Sequence, residues 1–262
     1  MDRAGRVQRY MITSRQSNRT SLAVGPFVVL FHLSDDAVER NVAMPVLPEI
    51  GAPEGWLEPL RQAFAEHGRP PAINWVEDYA PELASTLHQV GFHEHQRESL
   101  FDWPAETVRG DISLPDLTFL QITDTSSLAD VREGLDVNEF GFDPTGAQAA
   151  TDEQASAFRA TLSSARAFTA RLSGHPAGAG MYTTPQEGVT ELTGVATLKE
   201  FRGRGVAGAL TAFMARTALE HGCDLVFLKT TSPEARRAYA RAGFRSVGSV
   251  LTYTTSDING AV

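Results

Sequence analysis

A chain of 262 residues with 42% hydrophobic and 21% charged content is long enough to bury a real core, as one large domain or two small ones, and reads as a globular protein. No apolar run approaches the ~20 residues of a membrane-spanning helix, and a net charge of −9 argues against the basic face that nucleic-acid binding requires. A single cysteine, Cys223, excludes an intrachain disulfide, and no Cys/His cluster has metal-site spacing, so the expectation is a cytoplasmic protein with no metal, no membrane and no nucleic acid.

Residues 1–21 carry five arginines against one acidic residue, Asp2, and read as a disordered terminal extension. From Phe27 the chain alternates apolar runs with turn residues. "FVVLFHL" (27–33) predicts a buried strand, and "EGWLEPLRQAFAEHG" (54–68) a helix, because Trp56, Leu57, Leu60 and Phe64 recur at helical spacing before Gly68. "PPAINWV" follows as a strand and "APELASTLHQVGF" as a second helix. The polar, proline-bearing 102–116 reads as a linker between a first unit, 22–101, and a second, 117–262.

The second unit opens with a strand at "LTFLQI" (117–122), then helical material on either side of "FGFDPTG" (140–146). A hairpin around Gly174, His175 and Pro176 comes next, then a strand at "VTELTGVAT". After the loop "EFRGRGVAGAL", Val206, Leu210, Phe213, Met214 and Thr217 predict a helix that Gly222 stops. "LVFLKT" (225–230) is a short strand, "SPEARRAYARAGF" a helix, and "SVGSVLTYTT" the strand expected to close this unit. The order predicts an α/β protein with mixed sheets. Within it, "APELASTLHQVGF" (80–92) and "SPEARRAYARAGF" (232–244) align without gaps, pairing Pro81 with Pro233, Glu82 with Glu234, Gly91 with Gly243 and Phe92 with Phe244. That match reads as an internal duplication.

The loop at 200–210 is either an ordinary turn before a helix or a cradle for an anion. A helix start leaves four backbone N–H groups without intrahelical partners and adds partial positive charge, and glycines let the backbone approach a phosphate. Arg202 and Arg204 can add charge-assisted hydrogen bonds. No lysine follows the glycines, which excludes the Walker phosphate loop. Gly203-Arg204-Gly205-Val206-Ala207-Gly208 meets the dinucleotide pattern formally, but Asp224 precedes the next strand instead of closing it.

Two further observations bear on the loop. Arg202-Gly203-Arg204-Gly205-Val206-Ala207 follows the strand "LTGVAT", and Tyr239-Ala240-Arg241-Ala242-Gly243-Phe244 lies about one helix and one strand beyond it. Together these resemble the GNAT superfamily of acyl-CoA-dependent N-acetyltransferases, over roughly 117–255, with a degenerate echo over 27–101. The resemblance implies a tandem arrangement of two GNAT-like units, each a mixed, mostly antiparallel sheet flanked by helices, with the chemistry in the second. It implies phosphate contacts from Arg202, Gly203, Arg204, Gly205, Val206, Ala207 and Gly208. Val195, Ala196 and Thr197 would contact the pantetheine arm of acetyl-CoA, as would Ser232, which stands where many members have asparagine.

By the same resemblance Tyr239 is the general acid for the coenzyme A sulfur. The matching position in the first unit is Leu87, which cannot donate a proton. Glu191 is the candidate base, since an alkyl amine with a pKa near ~10.4 must lose a proton before it attacks, or else is a solvated strand carboxylate. "FGFDPTG" either walls the acceptor site or is a plain turn. His93, Glu94 and His95 read as a polar sheet face, and Cys223 as a small buried residue. The expectation is direct acetyl transfer to an amine of a small molecule or protein, by a monomer or homodimer with its acceptor open. The competing expectation is a non-catalytic acyl-CoA-binding sensor.

Overall fold

The computed structural model describes residues 2–16, 19–104 and 114–255, and the chain divides into two compact units. Unit 1 comprises 1–100 and 248–262, and unit 2 comprises 101–247.

Unit 1 begins with a helix, α1 (Arg3–Gln16), where an extension was expected. Its arginines obscured a helical stripe: Val7, Tyr10 and Met11 sit at i, i+3 and i+4 and are buried with Ile12. Asp2 starts the helix by accepting the Gly5 N–H at 2.8 Å. Gln8, only 1% exposed, joins two strands. Its Nε2 donates to the Pro45 carbonyl at 3.0 Å, and its Oε1 accepts the Val76 N–H at 2.9 Å.

β1 (Arg19–Val24) and β2 (Phe27–His32) form a hairpin, and β2 pairs antiparallel with β3 (Val42–Pro45). After helix α2 (Leu57–Glu66) the chain returns as β4 (Ala72–Val76), parallel to β3 at Ala43 and Ile73. Helix α3 (Leu83–Gln89) and strand β5 (His93–Trp103) follow, and β5 enters unit 2 at Phe101. Phe27 packs edge-on against Trp56, and Phe31 likewise against Phe64, each at 5.1 Å.

The final strand, β11 (Arg245–Thr254), corrects a second expectation. From Gly248 onward it belongs to unit 1, running antiparallel to β4 from Val250 opposite Val76 to Thr254 opposite Ala72. Leu251 and Tyr253 are buried in the unit 1 core beside Trp75. Hydrophobic alternation marked a strand here correctly but carried no information about its neighbour. The expected linker also starts too early: Asp102 and Trp103 are the buried end of β5. Asp102 meets Arg245 at 3.5 Å and Trp103 packs on Phe244 at 4.9 Å. Residues 105–113 of that linker lie outside the described residues.

In unit 2, β6 (Leu117–Ile122), β7 (Arg166–Leu172), β8 (His175–Tyr182) and β9 (Val189–Thr197) form an antiparallel run, and β10 (Leu225–Thr230) adds in parallel to β9. Among the described pairings, each unit is mostly antiparallel with one parallel pair. Helix α4 (Leu128–Phe142), capped by Ser127, and helix α5 (Asp152–Ala160), started by a Thr151/Gln154 capping box, precede β7. Helix α6 (Val206–Glu220) joins β9 to β10, and α7 (Pro233–Ala242) follows β10.

Successive residues of β7 separate the two faces of the sheet. Ala167 points into the cluster beneath α4 and α5, with Ile122, Val131 and Ala155. Phe168 points into the cluster containing Leu210 and Met214 of α6. Among the described residues no helix is long and apolar enough to cross a membrane.

Replacing Gln8 by Leu leaves a buried N–H and a buried carbonyl without partners. It is expected to cost about 2–4 kcal/mol, read as a lower urea midpoint at unchanged slope.

Candidate functional site

Two distortions of β9 open the site. Ala179 pairs with Ala196 and Met181 with Thr193, so Gly194 and Val195 together oppose the single residue Gly180, a β-bulge. Gly194 takes the left-handed φ of +62° that the bulge requires, and its carbonyl accepts a hydrogen bond from Asn138 of α4. On the other edge of β9 the parallel register with β10 covers only Val189–Glu191 against Leu225–Phe227. Beyond Glu191 and Phe227 no register joins the two strands.

Past Thr197 the chain makes one 3-10 turn at Lys199–Phe201 and enters the glycine loop. Gly203 and Gly205 have φ of +75° and +87°, conformations that cost a residue with a Cβ about 1–2 kcal/mol. Gly205 is the N-cap of α6, offers no capping side chain, and is followed by no acidic residue in the first turn. The first helical bond runs from the Ala209 N–H to the Gly205 carbonyl at 3.0 Å. The N–H groups of residues 205–208 therefore have no intrahelical acceptor, and they sit at the positive end of the helix dipole.

A groove of about 540 Å³ surrounds this helix start. Val195, Ala196 and Thr197 line it from β9, Arg202, Gly203, Gly205, Val206, Ala207 and Gly208 from the loop, and Ser232 from the start of α7. Every expected cofactor residue except Arg204 is in its wall. Arg204 instead holds its guanidinium 5.5 Å above the Phe201 ring.

Two of the wall residues have structural duties. Arg202 Nε donates to the Thr197 carbonyl at 3.1 Å and Nη2 to the Gly141 carbonyl at 2.7 Å, so its side chain clamps the loop to the ends of β9 and α4. Ser232 caps α7, its Oγ accepting the Ala235 N–H at 3.2 Å. The buried Thr197 hydroxyl has no hydrogen-bond partner among the described residues. A buried hydroxyl without a partner is costly, so it fits a wall that receives a ligand's donor or acceptor.

The expected catalytic residues lie elsewhere. Tyr239 and Glu191 do not line the groove. Tyr239 is 7% exposed, packed beside Phe101 and Phe244 at about 6 Å, and burial pushes its phenol up to about 12. Glu191 pairs with Lys229 of β10 at 3.6 Å, both side chains being largely buried. Cys223 is buried, as expected, and burial raises its thiol.

The groove also includes residues that motif reading passed over. Arg237 and Arg241, one turn apart on α7, line it with Glu234, which pairs with Arg237 at 3.1 Å. Their spacing was visible, but charges on an amphipathic helix ordinarily mark only the wet face. From "FGFDPTG", Gly141 and Phe142 reach the groove, Phe142 being 64% exposed. Asp143 closes that segment as a turn, accepting the Thr145 and Gly146 N–H groups, which hold its carboxyl below the usual range. Among the described residues no three His, Cys, Asp or Glu side chains cluster for a metal, and His95 is paired with Glu39 at 2.6 Å.

Residues 130–244, which include the bulged strand and the uncapped glycine-led helix, match one family model, described as acetyltransferase (GNAT) family. This segment is a GNAT acetyltransferase domain. Among solved structures, a GCN5-related N-acetyltransferase from Kribbella flavida is 24% identical with a TM-score of 0.79, covering 97% of this chain and 96% of its own. A GCN5-related N-acetyltransferase from Sphaerobacter thermophilus is 16% identical with a TM-score of 0.58, covering 87% and 80%. A tandem GNAT protein from the clavulanic acid biosynthesis pathway is 15% identical with a TM-score of 0.63, covering 88% and 78%. These likenesses show that the GNAT fold extends along most of the chain. No curated protein matches it. Acyl transfer is the general chemistry of the GNAT domain, and the dinucleotide reading of its loop is set aside.

Gly205→Ala forces a Cβ into the left-handed region and is expected to destabilise the protein by about 1–2 kcal/mol, while Gly205→Asn recovers part of the loss. Thermal unfolding reads both, at about 2–4 °C per kcal/mol for a chain of this size.

Proposed function

We propose that the protein is an acetyl-CoA-dependent N-acetyltransferase that transfers an acetyl group directly to an amine of a small molecule or protein. The observation that carries this reading is the groove. It brings the glycine loop, the end of β9 and the start of α7 into one wall, beside N–H groups that helix geometry leaves unpaired. In this reading the N–H groups of residues 205–208 hold the pyrophosphate of coenzyme A. Arg237 and Arg241 add charge at the rim, and Thr197 and the edge of β9 hold the pantetheine arm. The bound thioester supplies the activated acyl group. Oxyanion stabilisation falls to a backbone N–H near Ala196, beside the bulge.

Glu191 is the proposed base and Tyr239 the proposed acid. A phenol raised to about 12 stays protonated across the working pH range, as an acid must. The unit 1 segment corresponding to the loop, residues 46–56, contains no arginine or lysine but includes Glu49 and Glu54, and Leu87 stands where unit 2 has Tyr239. Coenzyme A binding is therefore proposed for unit 2 alone. The setting proposed is cytoplasmic, and the assembly a monomer or homodimer.

One observation favours the second reading, a non-catalytic acyl-CoA sensor: neither Tyr239 nor Glu191 lines the groove. Coenzyme A release measured over a broad amine panel separates the two. An enzyme turns over, and Tyr239→Phe lowers kcat about 10- to 100-fold with the KM for acetyl-CoA unchanged; a sensor is stabilised by acetyl-CoA and releases none.

The pH dependence sharpens the test. Glu191→Gln is expected to lower kcat at neutral pH and to recover as rising pH deprotonates the amine directly. Native Tyr239 keeps its proton between about pH 10 and about 12, where the unfolded chain releases it, so this phenol's contribution to stability falls as pH rises through that window. Tyr239→Phe removes that slope, which alkaline urea titrations detect.

A further inference from the structure

Across the bulge from the groove lies a second, smaller space of about 70 Å³. Ile122, Val131, Leu135, Phe158, Ala167 and Met181 supply its apolar wall. Among the described residues no charged side chain lines it. Its one amide, Asn138, already donates to the Gly194 carbonyl. Two of its lining residues are glycines at closely packed positions. At Gly134 a Cβ would come within 2.8 Å of Ile122 Cδ1, and at Gly180 within 3.0 Å of Met214.

The position of this cavity is as informative as its lining. Gly194 lines the cavity, whereas the next two residues, Val195 and Ala196, line the groove. On α4, Asn138 faces the cavity and Gly141, one turn on, faces the groove. The lining of β9 therefore passes from one space to the other within a single residue step, at the bulge. An acyl group presented beside Ala196 has its carbonyl at the backbone of the bulge, next to Gly194, which lines the apolar cavity.

We propose that this cavity receives the alkyl tail of the acyl donor, so that the site accepts, beside acetyl, short acyl chains from propionyl to butyryl and binds them more tightly. This rests on the coenzyme A reading of the groove. The size sets the range: an apolar cavity of ~150 Å³ takes a six-carbon ring, so about 70 Å³ takes roughly three carbons, the propyl tail of a butyryl group. The apolar lining makes each added methylene favourable until the space is full, at about fourfold in affinity per methylene.

Calorimetry with coenzyme A, acetyl-CoA, butyryl-CoA and hexanoyl-CoA tests the proposal on the full chain. Wild type is expected to bind butyryl-CoA roughly 15-fold more tightly than acetyl-CoA, with no further gain at hexanoyl. Ala167→Val, which adds two methyl groups to the cavity wall on a strand that favours valine, should abolish the butyryl preference and leave coenzyme A affinity unchanged. Phe158→Ala, which enlarges the space, should move the preference toward hexanoyl-CoA. Thermal unfolding confirms that each variant is folded. Equal affinity for acetyl-CoA and butyryl-CoA in wild type, or a butyryl preference that both variants leave untouched, overturns the proposal while the coenzyme A reading stands. Absence of coenzyme A binding overturns both.

Discussion

Strands β9 and β10 share a register only as far as Glu191 and Phe227, and the groove depends on what happens beyond that point. A parallel pair that continued would hide the edge of β9 from Leu192 to Thr197 and leave no space between the starts of α6 and α7. The bulge at Gly194 and Val195 acts on the same strand from the β8 side. Two residues are set against one, which increases the local twist and turns the end of β9 toward the loop. The bulge is held by an interaction from outside the sheet, the Asn138 amide on the Gly194 carbonyl. Helix α4 thus helps to shape a strand whose other face α6 covers.

The loop that follows is built of constraints that agree. Gly203 and Gly205 supply two left-handed residues, and the second is also the cap of α6. Because glycine has no capping oxygen, the helix start has no side-chain cap of its own to take up its donors. Arg202 fixes where that start points by bonding two carbonyls at once, one from β9 and one from α4. A residue that reads as a phosphate ligand is therefore at least as much a clamp on the backbone that forms the cradle. The guanidinium fork is what allows it, since a lysine's single ammonium is a point charge without that geometry.

Much of the second unit was legible in the sequence because local rules dominate there. Apolar periodicity marks α6, Gly222 its end, and glycine with arginine its start, and the structure agrees at each. The misreadings share a cause. Helix α1 was hidden because five arginines outweighed Val7, Tyr10 and Met11 in a composition judgement, although three buried side chains decide a helix's place. The last strand was assigned to the wrong unit because alternation specifies a strand and its faces but not its neighbour. Arg237 and Arg241 do not stand out in the sequence because a wet helix face and a groove-lining one carry the same residues.

The sequence by itself determined the family of residues 130–244, the glycine loop and the order of elements around it, since these rest on backbone conformation and short-range spacing. Only the tertiary structure decided which side chains share a wall. Tyr239 was turned into the core, Glu191 was given to Lys229, Gly194 was set at the junction of groove and cavity, and β11 was carried back to β4. Such outcomes depend on which faces of different elements bury one another, a long-range balance of apolar burial that no window along the chain contains.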